Sequence, residues 1–241
     1  MSAPITSPVH ALEPLDEWTP AARHPPLSAD EVHVWRVELD LASDAIARLS
    51  SLLARDEGAR SARLLSASAG RAFVVTRAVL RLLLGRYLDR APAAIALAYG
   101  PEGKPALAGS EALHFNVSHS GHRGLLAFGR QRVGVDLERL DHRADHVAIA
   151  RRFFAPGEAA EILALPEPDA RRRFFEIWTR REALLKATGK GWTGTEPTLD
   201  AGALGFTLWP LRVPDFAAAL AVEGTGPRPR WLALADGELT A

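Results

Sequence analysis

The stretch ALHFNVSHSGHRGLLAFGRQRVGVDLE, residues 112–138, changes the period of the chain. "ALHFNVS", "GLLAFGR" and "RVGVDLE" are strand-length runs, and "HSGH" and "GRQR" between them are turn-formers. "IALAY" and the turn "GPEGKP" extend the strand-rich block upstream to residue 95. On both sides the period returns to that of a helix. Before the block stand a half-buried strand, "EVHVWRVELD", and an amphipathic helix, "DAIARLSSLLARDE", for which Ser43 and Asp44 offer N-caps. A long helix follows from about Ser68 to Asp89; it is punctuated by Arg71, Arg77, Arg81 and Arg86 and stopped by Pro92. After the block come "DHVAIARRFF", "PGEAAEILAL" and "DARRRFFEIWTRREALLKATGKG", then strand-like "LGFTLWPL", "FAAALAVEG" and "RWLALAD". Strand, helices, strands, then strand, helices, strands: this order predicts an α+β fold of two similar halves, residues 30–129 and 130–241. Residues 1–29 carry six prolines and little periodicity, and are expected to form a flexible arm.

Composition narrows the function classes. The chain has 241 residues, 47% hydrophobic, with a formal net charge of zero, so no global field points to nucleic acid or an anionic membrane. It has no cysteine, which excludes disulfides, thiolate metal sites and a cysteine nucleophile. No apolar run approaches the ~20 residues of a membrane span, and the first residues lack a secretory pattern. A cytoplasmic protein without nucleic-acid or membrane partners is the expectation. Of the 29 basic residues only Lys104, Lys186 and Lys190 are lysine. In a chain this biased toward arginine, the compact, mobile ammonium marks candidate positions.

Three groups of residues could carry chemistry. In "VGVDLERL", Asp136 and Glu138 are two apart on a strand and share a face, while Val135 and Leu137 point into the core. Paired carboxylates repel unless a proton or cation lies between them, and a hard cation suits oxygen ligands; a solvated acidic strand face has the same spacing. Glu182 and Lys186 are four apart on the last long helix, anchored by Trp178 and Leu185. They either face a site or form an ordinary surface ion pair. Ser118, His119 and Ser120 stand where a strand enters a turn. They could hold a phosphate or merely cap the turn, and Asn116 and His114 read as structural. Of the histidines, His142 and His146 are four apart but lie in a charged, loop-like stretch that favours solvation over a metal, and there is no G-x-S-x-G, P-loop or G-x-G-x-x-G motif.

Together, "GKPAL" (103–107), "FNVSHSG" (115–121), "GVDLE" (134–138) and "WTRREALLKATGKG" (178–191) resemble the 4′-phosphopantetheinyl transferases of the larger Sfp-type class. The resemblance implies a pseudo-dimer within one chain, with coenzyme A (CoA) in the cleft between the halves, acting as a monomer. It implies transfer of the phosphopantetheine arm of CoA to a serine of an apo acyl or peptidyl carrier protein, with release of adenosine 3′,5′-bisphosphate. By motif match, Asp136, Glu138 and Glu182 would bind Mg²⁺, Lys186 would neutralise the diphosphate, and Glu182 would serve as base. Ser118, His119, Lys104 and Arg71 would contact CoA phosphates, and Pro105 would shape the adenine pocket. Lys190 would only close its helix, where a cation suits the dipole. Two positions depart from the family pattern: Arg181 replaces a lysine, and Ala69 an acidic residue. Between residues 151 and 190 nine basic residues face six acidic ones, an excess suited to an acidic carrier helix. The competing readings are an Mg²⁺-dependent phosphohydrolase of a nucleotide diphosphate, with water as acceptor, and a non-catalytic CoA- or carrier-binding module.

Overall fold

The structure, a computed structural model, describes residues 13–14, 18–21, 25–100, 103–109, 112–141, 145–189 and 200–234; Lys190 lies outside them. In chain order the elements are β1 (Glu13–Pro14), β2 (Thr19–Ala21), β3 (Glu31–Glu38), α1 (Ser43–Ser50), α2 (Arg55–Ser61), α3 (Ala67–Leu88), β4 (Leu97–Tyr99) and β5 (Pro105–Leu107). There follow β6 (His114–Ser120), β7 (Arg123–Gly129), β8 (Val133–Arg139), α4 (His146–Phe153), α5 (Pro156–Leu163), α6 (Asp169–Thr188), β9 (Phe206–Val213), β10 (Phe216–Glu223) and β11 (Arg228–Leu234).

The halves repeat one topology. β3, three helices and the β6–β7 hairpin correspond to β8, three helices and the β9–β10 hairpin. In each half the hairpin's second strand returns to pair antiparallel with the opening strand, giving β3–β7–β6 and β8–β10–β9. β11 runs parallel to β3, and the N-terminal β1 and β2 run parallel to β9 and β11.

Side-chain alternation builds the layers. Val32 and Val34, Leu125 and Ala127, Val133, Val135 and Leu137, and Ala218, Leu220 and Val222 meet in one buried cluster between the two sheets. The opposite face of the first sheet, with Trp35, Val37 and Phe128, packs on α3 through Val75, Val79 and Leu83. The opposite face of the second sheet carries Ala217, Ala219 and Ala221 against the helices of its own half. Helices therefore cover both outer faces of a two-sheet sandwich.

The predicted single helix over "DAIARLSSLLARDE" is two helices, and neither Ser43 nor Asp44 caps it. α1 begins at Ser43 behind Ala42, which places both in the first turn, where Asp44 pairs with Arg48 at 3.1 Å. Ser50 and Ser51 end it by donating their hydroxyls to the carbonyls of Ala47 and Arg48 at 2.7 Å each, the competition that disfavours serine inside helices. The chain restarts at α2, where Glu57 accepts the Ala54 N–H at 2.8 Å. Glu57 is buried and also receives Arg81 Nε at 2.6 Å, with Arg77 Nε 3.7 Å from its other oxygen. Arg81 donates further to the carbonyls of Pro92 and Ile95, both at 3.0 Å, and so ties α2 and α3 to the turn that follows. Glu57→Ala strands two buried guanidinium groups and should cost about 3–5 kcal/mol. The check is the thermal midpoint; a variant melting with the wild type would contradict this role.

Candidate active site

β8 and α6 meet at Gly134. A Cβ placed there would lie 2.0 Å from the Ala183 carbonyl oxygen and 2.5 Å from the Ala187 nitrogen, so helix and strand touch backbone to backbone. Ala183, Ala187, Ala219 and Ala221 complete this small-residue contact. The two periods then place the chemistry. Asp136 and Glu138 follow Gly134 at steps of two on the same face. Glu182 and Lys186 flank Ala183 and Ala187 at a step of four. Gly134 thus sets how near the helix's charged pair comes to the strand's carboxylates.

Asp136 is buried at 3% exposure. Its Oδ1 receives Lys186 Nζ at 2.6 Å and Ser118 Oγ at 2.9 Å, and Nζ lies 3.2 Å from the same hydroxyl. Lys186 therefore turns to the strand rather than forming the ordinary surface pair on its own helix. Burial raises the Glu182 pKa above the ordinary carboxylate value; Asp136 raises it further, Lys186 opposes, and Glu138 adds to the rise. Glu182 thus feels both β8 carboxylates. Lys104, just ahead of β5, donates to the Lys186 carbonyl, and burial followed by the Lys186 charge lowers its pKa.

The edge strands β6 and β8 meet through side chains. Asn116 Oδ1, Ser118 Oγ and Ser120 Oγ accept the N–H groups of Val135, Leu137 and Arg139 at 2.9, 3.3 and 3.1 Å. These three side chains of β6 satisfy the open edge of β8 in place of another strand. Phe115, Val117 and His119 face the other way, the first two onto the α3 core. His119 reaches a cleft of about 500 Å³ lined with Arg71, Ser68 and Arg139. Burial, then the Lys186 charge, lowers the His119 pKa. Gly121, at φ +57°, turns the chain there, and the Arg139 side chain lies where a Cβ would go.

The structure thus brings Asp136, Glu138, Glu182, Lys186, Ser118 and Lys104 around the β8–α6 contact, and Arg71 and His119 to the neighbouring cleft. Ser118 directs its hydroxyl to Asp136. Arg181 turns elsewhere: it is buried, pairs with Glu158 at 2.9 Å and lies over the Phe154 ring. Sequence reasoning missed Gly134, whose signal is a glycine in step with Asp136 and Glu138; it gave Ser120 a phosphate-holding or turn-capping role, whereas the Ser120 hydroxyl donates to Glu138 Oε2 at 2.9 Å.

The donor set suits an oxygen-seeking cation, and Asp136 Oδ2 is buried without a hydrogen-bond partner. Among the described residues, however, no three carboxylates or imidazoles are gathered closely enough to hold a metal ion as they stand. Lys186 is the cation on Asp136 here. No helix among the described residues is long and apolar enough to cross a membrane.

The profile of the 4′-phosphopantetheinyl transferase superfamily matches residues 132–222, from β8 through β10. The 4′-phosphopantetheinyl transferase HetI of Nostoc sp. is 37% identical over 230 residues, covering 89% of this chain and 97% of its own. The 4′-phosphopantetheinyl transferase Sfp of Bacillus subtilis is 35% identical over 89 residues, 37% of this chain and 39% of its own. AcpT of Escherichia coli, another 4′-phosphopantetheinyl transferase, is 40% identical over 110 residues, 45% and 55% of the two chains. With a full-length relative at that identity, and with its two halves in one chain, the protein belongs to the 4′-phosphopantetheinyl transferase superfamily, in the larger Sfp-type class.

Proposed function

We propose that this enzyme transfers the phosphopantetheine arm of CoA to a serine of an apo acyl or peptidyl carrier protein and releases adenosine 3′,5′-bisphosphate. The observation that carries the reading is Asp136: a buried carboxylate with one oxygen held by Lys186 and Ser118, the other bare, and two more carboxylates beside it. Asp136, Glu138 and Glu182 would hold Mg²⁺, which supplies charge neutralisation on the CoA diphosphate. Arg71 and His119, in the cleft, and Lys104 would bind CoA phosphates, and Pro105 would border the adenine. Ser118 fixes Asp136.

Glu182, on the α6 face turned to the β8 carboxylates, accepts the proton of the carrier serine hydroxyl. The serine oxygen forms a bond to the β-phosphorus of CoA, and the bond from that phosphorus to the bridging oxygen breaks. The bridging oxygen leaves with the adenosine bisphosphate, its new charge met by the Lys186 ammonium. Mass spectrometry of apo carriers incubated with CoA, Mg²⁺ and enzyme tests this. Wild-type carrier should gain the arm, and carrier with alanine at that serine should gain nothing. Unmodified carriers throughout would contradict it.

If His119 holds the 3′-phosphate, dephospho-CoA should be the poorer donor by about 1.5–3 kcal/mol in kcat/KM, the range of charge-assisted hydrogen bonds. His119→Ala should shrink that discrimination. Equal use of both donors by the wild type would move His119 off the 3′-phosphate.

A further inference from the structure

β6 presents the same hydrogen-bonding unit to β8 twice. Ser118 Oγ accepts from the Leu137 N–H at 3.3 Å and donates to Asp136 Oδ1 at 2.9 Å. Two residues on, Ser120 Oγ accepts from the Arg139 N–H at 3.1 Å and donates to Glu138 Oε2 at 2.9 Å. A hydroxyl has one proton to give. The N–H that each serine accepts belongs to β8, whose ladder with β10 fixes its direction. With its acceptor side occupied by that N–H, each hydroxyl directs its proton at the neighbouring carboxylate. One oxygen of each acid is thereby pinned relative to its own backbone, and in Asp136 the other oxygen is left bare.

We propose that Ser120 is a positioning residue for the cation site, orienting Glu138 as Ser118 orients Asp136. This rests on the assignment of Asp136 and Glu138 as cation ligands. The two serines are not equivalent as probes. Ser118 also touches the Lys186 ammonium, so replacing it disturbs a second charged group, whereas replacing Ser120 removes its contacts with Glu138 and the Arg139 N–H and leaves Lys186 alone. Partners that orient a ligating side chain are typically worth 10–100-fold in metal affinity.

The experiment titrates Mn²⁺ alone into the full chain, without CoA, and reads binding by water-proton relaxation. This separates metal binding from any contact of Ser120 with substrate. Threonine and valine differ at this site by the hydroxyl and suit a strand equally. Ser120→Thr should bind Mn²⁺ as the wild type does, and Ser120→Val should bind about 10-fold more weakly or worse. Ser120→Ala, which adds no bulk, should match Ser120→Val and serves if the valine variant does not fold. Glu138→Gln is the reference. If it weakens Mn²⁺ binding while Ser120→Ala and Ser120→Val bind normally, the positioning role is overturned and the cation site stands. If the wild type binds no Mn²⁺, or Glu138→Gln binds it unchanged, the cation-site assignment fails and the role of Ser120 fails with it.

Discussion

Gly134→Ala should abolish transfer and lower the thermal midpoint, although it adds only one methyl group. That methyl would meet the Ala183 carbonyl oxygen at 2.0 Å and the Ala187 nitrogen at 2.5 Å. Both are backbone atoms of α6, so no side chain can swing aside; the helix itself must move off β8. Overpacking costs typically 1–3 kcal/mol, and a rigid backbone contact belongs at the upper end. About 3 kcal/mol corresponds to roughly 6–12 °C in the midpoint for a chain of this size. The larger effect is on catalysis, because Glu182 and Lys186 move with the helix away from Asp136. Gly157→Ala, in α5, is the control: nothing lies within 4 Å of its added Cβ, and alanine favours the helix. It should be neutral or slightly stabilising. Full transfer activity in Gly134→Ala would contradict the close approach as the determinant of the site.

Asp136→Asn should reduce the single-turnover transfer rate by at least about 100-fold, equivalent to about 3 kcal/mol of lost transition-state stabilisation. Asparagine keeps the shape and can still accept from Lys186 and Ser118. It loses the negative charge, however, and turns the position of the bare Oδ2 into either a donor or a neutral oxygen. The fold should survive, since the ladder from β6 is anchored on backbone N–H groups that the substitution leaves alone. Asp141→Asn removes only an exposed ion pair with Arg139 and should leave the rate close to wild type. Turnover near wild type in Asp136→Asn at ordinary Mg²⁺ would remove Asp136 from the metal site.

The fold was legible wherever hydrophobic periodicity was strong. β6 and β8 alternate apolar with small or polar residues, β7 is a strand-length apolar run, and α3 and α6 run long enough for the helical period to stand out. The division of "DAIARLSSLLARDE" was not legible from periodicity, because its apolar pattern continues through a break made by the hydroxyls of Ser50 and Ser51. The Glu57–Arg81 pair, 24 residues apart in the chain, has no local signature. At the site, the shared face of Asp136 and Glu138 followed from the step of two. That Lys186 would reach Asp136 did not, because it depends on the depth at which α6 sits on Gly134, a tertiary distance that no helical or strand period encodes. Two of the three lysines meet in the structure, the Lys104 ammonium lying on the backbone carbonyl of Lys186. The departure at Arg181 has a packing explanation, its partners being Glu158 and Phe154 rather than the carboxylate site.

The most direct measurement follows both products of one reaction: modified carrier by intact mass and adenosine 3′,5′-bisphosphate by chromatography, from CoA and Mg²⁺. The wild type should form the two in equal amounts, form neither without carrier, and stop forming both in Asp136→Asn. Release of adenosine bisphosphate with no carrier present would mean water is the acceptor, and equal product formation by Asp136→Asn would mean the reaction does not run at the β8–α6 site.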